Sequence, residues 1–214
     1  MPVLGLTGGI ATGKSTFARF LQRELPTRFF DSDRCVHQLL AADASTRDAV
    51  QTAFGAEVLS PDGWPDRAKL RELVFHSGES RRALEAILHP RVRTQWLAEV
   101  AAARKTDAWQ TVDIPLLYET GVQAEFDRVI VVAASHTVQV HRMVHERNLA
   151  PAMAGQMIAA QLDLGVKIEK ADHVIWNDST VLNLDGQTRL LAAWLKRRFT
   201  GGKSNHGITS DGID

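Results

Sequence analysis

Near the start of the chain Gly8 is followed by four residues and then by Gly13, Lys14 and Ser15, directly after the apolar run Val3 to Thr7. Few folds accommodate this pattern. Glycines let successive backbone amides turn inward as a concave anion nest, and a helix opening behind them adds its unpaired amides and its dipole. Phe17, Leu21 and Leu25 supply the helical spacing after Lys14, so the context is strand, loop, helix. The nest predicts a nucleotide site over Gly9, Ile10, Ala11, Thr12, Gly13, Lys14, Ser15 and Thr16, with Lys14 reaching the outer phosphates and Ser15 ligating magnesium. A glycine-rich turn that binds nothing is the alternative. GTPases, motor ATPases and small-molecule kinases all use such a loop, so the motif alone does not set the reaction. There is no Asn-Lys-x-Asp guanine-reading segment, and 214 residues are too few for large ATPase machinery, which favours a small kinase.

Further short runs rich in β-branched residues lie at Gln110 to Ile114, Val129 to Val132 and His173 to Trp176, with a weaker one at Arg28 to Asp31. Helical patterns separate them, and strands alternating with helices predict a parallel sheet. Leu84, Leu88, Val92, Trp96 and Val100 recur every fourth residue, with Pro90 placed where a new helix could begin, so two or more helices are expected there. Leu182, Leu190, Leu191, Trp194, Leu195 and Phe199 predict a closing amphipathic helix. Ala41 to Gly78, with its Ser60 to Gly63 turn, looks like an elaboration of the core. From Thr200 onward the sequence is too polar to offset ordering entropy, which predicts a disordered tail.

Lysine plus arginine equals aspartate plus glutamate, 25 each, so bulk charge gives no reason to expect a nucleic-acid partner. The single Cys35 excludes an intramolecular disulfide. No apolar run reaches membrane-spanning length, and Met1 to Thr7 does not resemble a secretory signal. A cytoplasmic protein with no membrane partner is the expectation.

The stretch Leu6 to Thr16 resembles the opening of dephospho-coenzyme A kinases. Asp31-Ser32-Asp33, Leu88-His89-Pro90 with Val92, Asp113 to Leu117 with Glu119 and Gly121, and Ala171-Asp172 with Ile175 and Asn177 resemble that family's other blocks, in order, over roughly residues 3 to 199. Ala11 and Thr12 stand where the family usually has Gly and Ser, and alanine at a position needing positive φ carries strain. Arg142 and Arg147 are five residues apart, where a pair four apart is expected. The resemblance implies an α/β fold of the P-loop NTPase type: three layers, a five-stranded mainly parallel sheet, and helical substrate-binding and lid subdomains. It divides the chain into a core of about 1–40, 106–134 and 171–199, an acceptor-binding insertion of about 41–105, a lid of about 135–170 and a tail of 200–214.

The implied activity is ATP-dependent phosphorylation of the ribose 3′-hydroxyl of dephospho-coenzyme A, with magnesium accompanying ATP. A kinase for another metabolite, or a nucleotide-binding regulatory module, is the alternative. The resemblance makes Asp33 the base facing the acceptor hydroxyl; a helix N-cap before Arg34 to Leu40 is its other reading. Asp31 could support it, since carboxylates two apart on an extended segment project to one side. Asp113 ends a strand where a magnesium-side acid stands, or caps the Pro115 turn. His89 would bind the acceptor, together with Pro115 and Leu116. Arg142 and Arg147, expected on one helix, are candidate lid cations for charge on the transferred oxygens, with Arg142 catalytic beside Asp33 and Lys14. Asn177 resembles a residue near the adenine, and Gln161 and Lys167 to Asp172 resemble the end of the lid and its return.

Overall fold

The computed structural model describes residues 1–200. Five strands form one sheet: β1 (Val3–Gly8), β2 (Thr27–Asp31), β3 (Trp109–Asp113), β4 (Arg128–Ala133) and β5 (His173–Trp176), in the order β2-β3-β1-β4-β5. The ladders joining β1 to β3, β1 to β4 and β4 to β5 are all parallel. Every residue of β1 and β3 is buried, as sequence without alternation demands of strands covered on both faces. From β1 the chain crosses to β2 on one side, whereas from β3 it crosses to β4 on the other side of β1, so the order reverses beside β1, and the crevice at the carboxyl ends there is where open parallel sheets bind ligands.

The described residues divide into two compact units, one from residues 1–29 and 102–200, the other from residues 30–101. In the first, α1 (Lys14–Glu24) and α9 (Val181–Thr200) bring Phe17, Leu21, Leu184, Leu191 and Leu195 into a core with Leu4, Leu6, Ile130 and Val132. Also in this unit are α6 (His136–His145), α7 (Pro151–Ala159) and α8 (Leu164–Glu169). The second unit holds α2 (Ser32–Ala42), α3 (Ala44–Phe54), α4 (Arg67–His76) and most of α5 (Gly78–Thr106), around Leu40, Val50, Val58, Leu70 and Leu88. It begins at residue 30, ahead of the residue 41 at which the sequence suggests an insertion.

Two expectations are corrected. Pro90 does not start a helix but lies inside α5, which runs unbroken for 29 residues. A proline in a helix interior costs about 3 kcal/mol, while Leu88, Val92, Trp96 and Val100 are each buried, at roughly 1.5–3 kcal/mol for such side chains, so the apolar stripe carries the helix across. Thr200 is not part of a tail but the last residue of α9, its hydroxyl donating to the Lys196 carbonyl. The remainder of the expected tail, 201–214, lies outside the described residues. No helix among the described residues is long and apolar enough to cross a membrane.

Candidate active site

The loop from Gly8 to Lys14 emerges from the carboxyl end of the central strand β1, and Gly13 caps α1 with φ 89°. Ala11 adopts φ 59°, the left-handed backbone that alanine disfavours. Four successive loop carbonyls each receive a side-chain donor. Thr12 Oγ1 donates to Gly9 O at 2.9 Å, Gln139 Nε2 to Ile10 O at 3.0 Å, Arg142 Nη1 to Ala11 O at 3.1 Å and Asn177 Nδ2 to Thr12 O at 2.8 Å. A carbonyl drawn outward turns the amide of the same peptide inward, which frees those of Ala11 and Gly13, and the Lys14 and Ser15 amides that open α1 have no helical acceptor. The arrangement is an anion nest. Side chains also dictate the glycines: a Cβ on Gly9 would run into Gln139 Nε2, and one on Gly13 into Asn177 Nδ2.

Lys14 and Asp113 meet across the site, Nζ lying 2.5 Å from both carboxylate oxygens, with side chains only 14% and 8% exposed. Asp113 therefore ends β3 as expected, but its carboxylate grips the loop lysine. Ser15 is exposed in the first turn of α1. Thr16 stands beside it, its amide returning to Gly13 O at 3.0 Å. Ser15 and Asp113 are hard oxygen donors, the kind magnesium takes, and the described residues contain no cluster of three or more acidic, histidine or cysteine side chains able to cage a metal. They fit a cation carried mainly by phosphates and water.

Arg142 spends a second nitrogen on Asn177 O at 2.8 Å, bridging the loop to the residue after β5. Asn177 is buried, its amide bonded to Ala133 O at 2.8 Å. The Pro115 carbonyl accepts from Thr7 Oγ1 at 3.0 Å and Lys167 Nζ at 3.2 Å, and Leu116 beside it is half-buried. Lys167 is wholly buried and pairs with Glu119 Oε1 at 2.8 Å, an atom that also accepts the Leu162 amide at 3.0 Å. Next to Glu119, burial and the nearby charge of Asp172 push the Tyr118 phenol up to about 12.

In the helical unit Asp33 is exposed in the first turn of α2. The cap is Asp31, whose Oδ1 accepts the Arg34 amide at 3.0 Å, so the capping alternative for Asp33 is corrected. Because the helix begins at Ser32, Asp31 and Asp33 do not share an extended segment, and the idea that they project to one side fails. His89 is half-buried inside α5. Cys35 is a buried thiol donating to Gln95 Oε1 at 3.2 Å, its pKa raised chiefly by burial.

A family model described as Dephospho-CoA kinase matches residues 2–183. The chain belongs to the dephospho-CoA kinase family. It is 42% identical over 195 residues to the dephospho-CoA kinase of Anaeromyxobacter dehalogenans, covering 90% of this chain and 92% of that protein. The dephospho-CoA kinase from Campylobacter jejuni superposes with a TM-score of 0.68 at 25% identity, covering 94% and 98% of the two chains. TT1252 from Thermus thermophilus superposes with a TM-score of 0.73 at 29% identity, covering 91% and 96%.

In this dephospho-CoA kinase family member the two arginines expected on a lid part company. Arg142 lies on α6, whereas Arg147 falls beyond the helix end and is exposed, correcting the expectation that both sit on one helix. Gln139 escaped the sequence reading. Its signal was the spacing: Gln139 and Arg142 are three apart on α6 and so share a face.

Proposed function

We propose that the chain transfers the γ-phosphoryl group of ATP to the ribose 3′-hydroxyl of dephospho-coenzyme A, giving coenzyme A and ADP. The observation that carries this reading is the loop whose four consecutive carbonyls are drawn outward, leaving the amides of Ala11 and Gly13, with those that open α1, to a polyanion. Phosphoryl transfer asks little covalent work of a protein, so positioning and charge are its main contributions. The amides of Ala11, Gly13, Lys14 and Ser15 cradle the phosphates, and Lys14 exchanges Asp113 for the outer phosphate oxygens. Magnesium, held by Ser15 with Asp113 on its water shell, would supply charge neutralisation on those oxygens. Arg142 brings a cation to the same end of the sheet while fixing the loop and Asn177, which lies on the adenine side.

Asp33 accepts the proton of the 3′-hydroxyl as the new oxygen–phosphorus bond forms and the bond to the ADP leaving oxygen breaks. Its exposure in the first turn of α2, with capping left to Asp31, supports that role. His89, Pro115 and Leu116 bind the acceptor. A cytoplasmic location belongs to the same proposal, supported by the single, buried Cys35 thiol.

The test is to incubate purified protein with magnesium, ATP and dephospho-coenzyme A and to follow ADP and coenzyme A by chromatography. Coenzyme A forming in step with ADP is the expected result; ADP alone would move the acceptor to another metabolite. Asp33→Asn is expected to lower turnover about 10²- to 10⁴-fold with nucleotide binding intact. Near-normal turnover in that variant would remove Asp33 from the mechanism.

A further inference from the structure

Both backbone groups of one loop residue are held by glutamines from opposite ends of the lid. Gln139 on α6 donates Nε2 to the Ile10 carbonyl at 3.0 Å, and Gln161, just past α7, accepts the Ile10 amide on Oε1 at 2.9 Å. The chemistry fixes each amide's orientation, because a carbonyl can only accept and an N–H can only donate. Ile10 directly precedes Ala11, the one loop residue other than glycine with positive φ. Around it Ile10 and Ala11 pack with Met143 and Ala154, again from the two sides of the lid. On the Gly9 side the two glutamines line a cavity of about 450 Å³ together with Ile158, Leu164 and Trp176.

We infer that Gln139 and Gln161 are positioning residues that latch the lid to the phosphate loop, holding the Ile10 peptide and hence Ala11 in the orientation that makes the nest. While the lid is seated, both bonds hold the strained backbone. If either is lost, Ala11 relaxes toward ordinary φ, its neighbouring amides rotate out of the nest, and nucleotide affinity falls. Nucleotide binding and lid seating are then one equilibrium, and each favours the other by the same factor. Neither glutamine needs to touch the substrate.

The two bonds run in opposite senses, so the same substitution separates them. Gln161→Glu keeps an acceptor for the Ile10 amide, whereas Gln161→Leu removes it. Gln139→Glu removes a donor and turns a carboxylate toward the Ile10 carbonyl; Gln139→Met removes the donor without adding charge. The measurement is the Kd of a fluorescent ATP analogue, with the KM for ATP and kcat taken separately and thermal melting confirming a folded protein. Gln161 is partly exposed, so its variants are expected to fold. Gln161→Leu and Gln139→Met should weaken nucleotide binding about tenfold, the scale of one buried hydrogen bond, chiefly in KM, while Gln161→Glu restores it. Wild-type affinity in Gln161→Leu, or equal losses in Gln161→Glu and Gln161→Leu, would overturn the latch. The inference rests on the loop binding ATP; a wild-type protein that binds no analogue would overturn that reading and the latch with it.

Discussion

Ala11 stands where glycine would carry no conformational penalty, yet its cost is nearly balanced locally. The left-handed conformation costs an L-residue about 1–2 kcal/mol. Against this, its methyl is buried beside Met143 and Ala154, at about 0.8 kcal/mol, and glycine would add roughly 0.4–1 kcal/mol of unfolded-chain entropy. Ala11→Gly should therefore lie within about 0.5 kcal/mol of wild type in urea unfolding, whereas Ala11→Val, β-branched at a φ it cannot tolerate, should lose nucleotide affinity with the loop. The need for positive φ was legible from the family pattern; what keeps it in place was not, because Gln139 and Gln161 lie 129 and 151 residues from Ile10. A second residue acts through pH. Burial of His173 lowers its pKa below the ordinary 6.5, partly offset by Asp172, so the unfolded chain binds a proton that the folded one resists. The contribution is fully present above that value and is lost as pH falls from it toward the depressed folded pKa. His173→Gln should flatten the melting temperature in that interval; an unchanged slope would assign the acid sensitivity elsewhere.

At the scale of elements, the central strands were readable because a sheet buried on both faces demands apolar, β-branched runs, and the half-buried edge strands because they keep part of that composition. β5 occupies His173–Trp176 as read, and the weak candidate at Arg28 to Asp31 became β2 with one further residue. Pro90 was misread for an equally physical reason: the local rule for proline concerns one missing hydrogen bond, while the stripe it interrupts is a tertiary quantity invisible to that rule. One turn before Arg91, the next residue, the Ile87 carbonyl accepts from the Arg91 guanidinium at 2.7 Å. Pro90 is exposed, so replacing it with alanine sacrifices little packing and restores an N–H. Pro90→Ala should raise stability by about 1–3 kcal/mol in chemical denaturation. If His89 binds the acceptor in the geometry that proline imposes, the same variant should raise the KM for dephospho-coenzyme A and leave that for ATP alone. A destabilised Pro90→Ala would mean that the pyrrolidine ring contributes more through packing or restriction of the unfolded chain than its missing N–H costs.

Over the whole molecule, the wholly buried Lys167 was the feature least accessible to a sequence, since lysine is almost never fully buried without a partner and the partner is 48 positions away by numbering. Its ammonium lies between Glu119 and the Pro115 carbonyl, which also accepts from Thr7 at the end of β1. Thus the strand leading into the phosphate loop, the segment after Asp113 and α8 share one polar network. Removing one member of a buried pair costs more than the pair itself contributes, because an uncompensated charge remains. Glu119 keeps the Leu162 amide and some contact with water, its side chain being 22% exposed, which softens the loss. Lys167→Met should therefore destabilise by about 3 kcal/mol, near the lower end for breaking such a pair. Adding Glu119→Gln removes the stranded carboxylate while leaving an oxygen for Leu162, so the double variant should be more stable than Lys167→Met alone, a coupling that a double-mutant cycle in urea measures. Strict additivity would mean that water, rather than Lys167, satisfies Glu119. Recovery of stability without recovery of turnover would show that the ammonium also holds Pro115, and with it the segment following Asp113, in register with the phosphate loop.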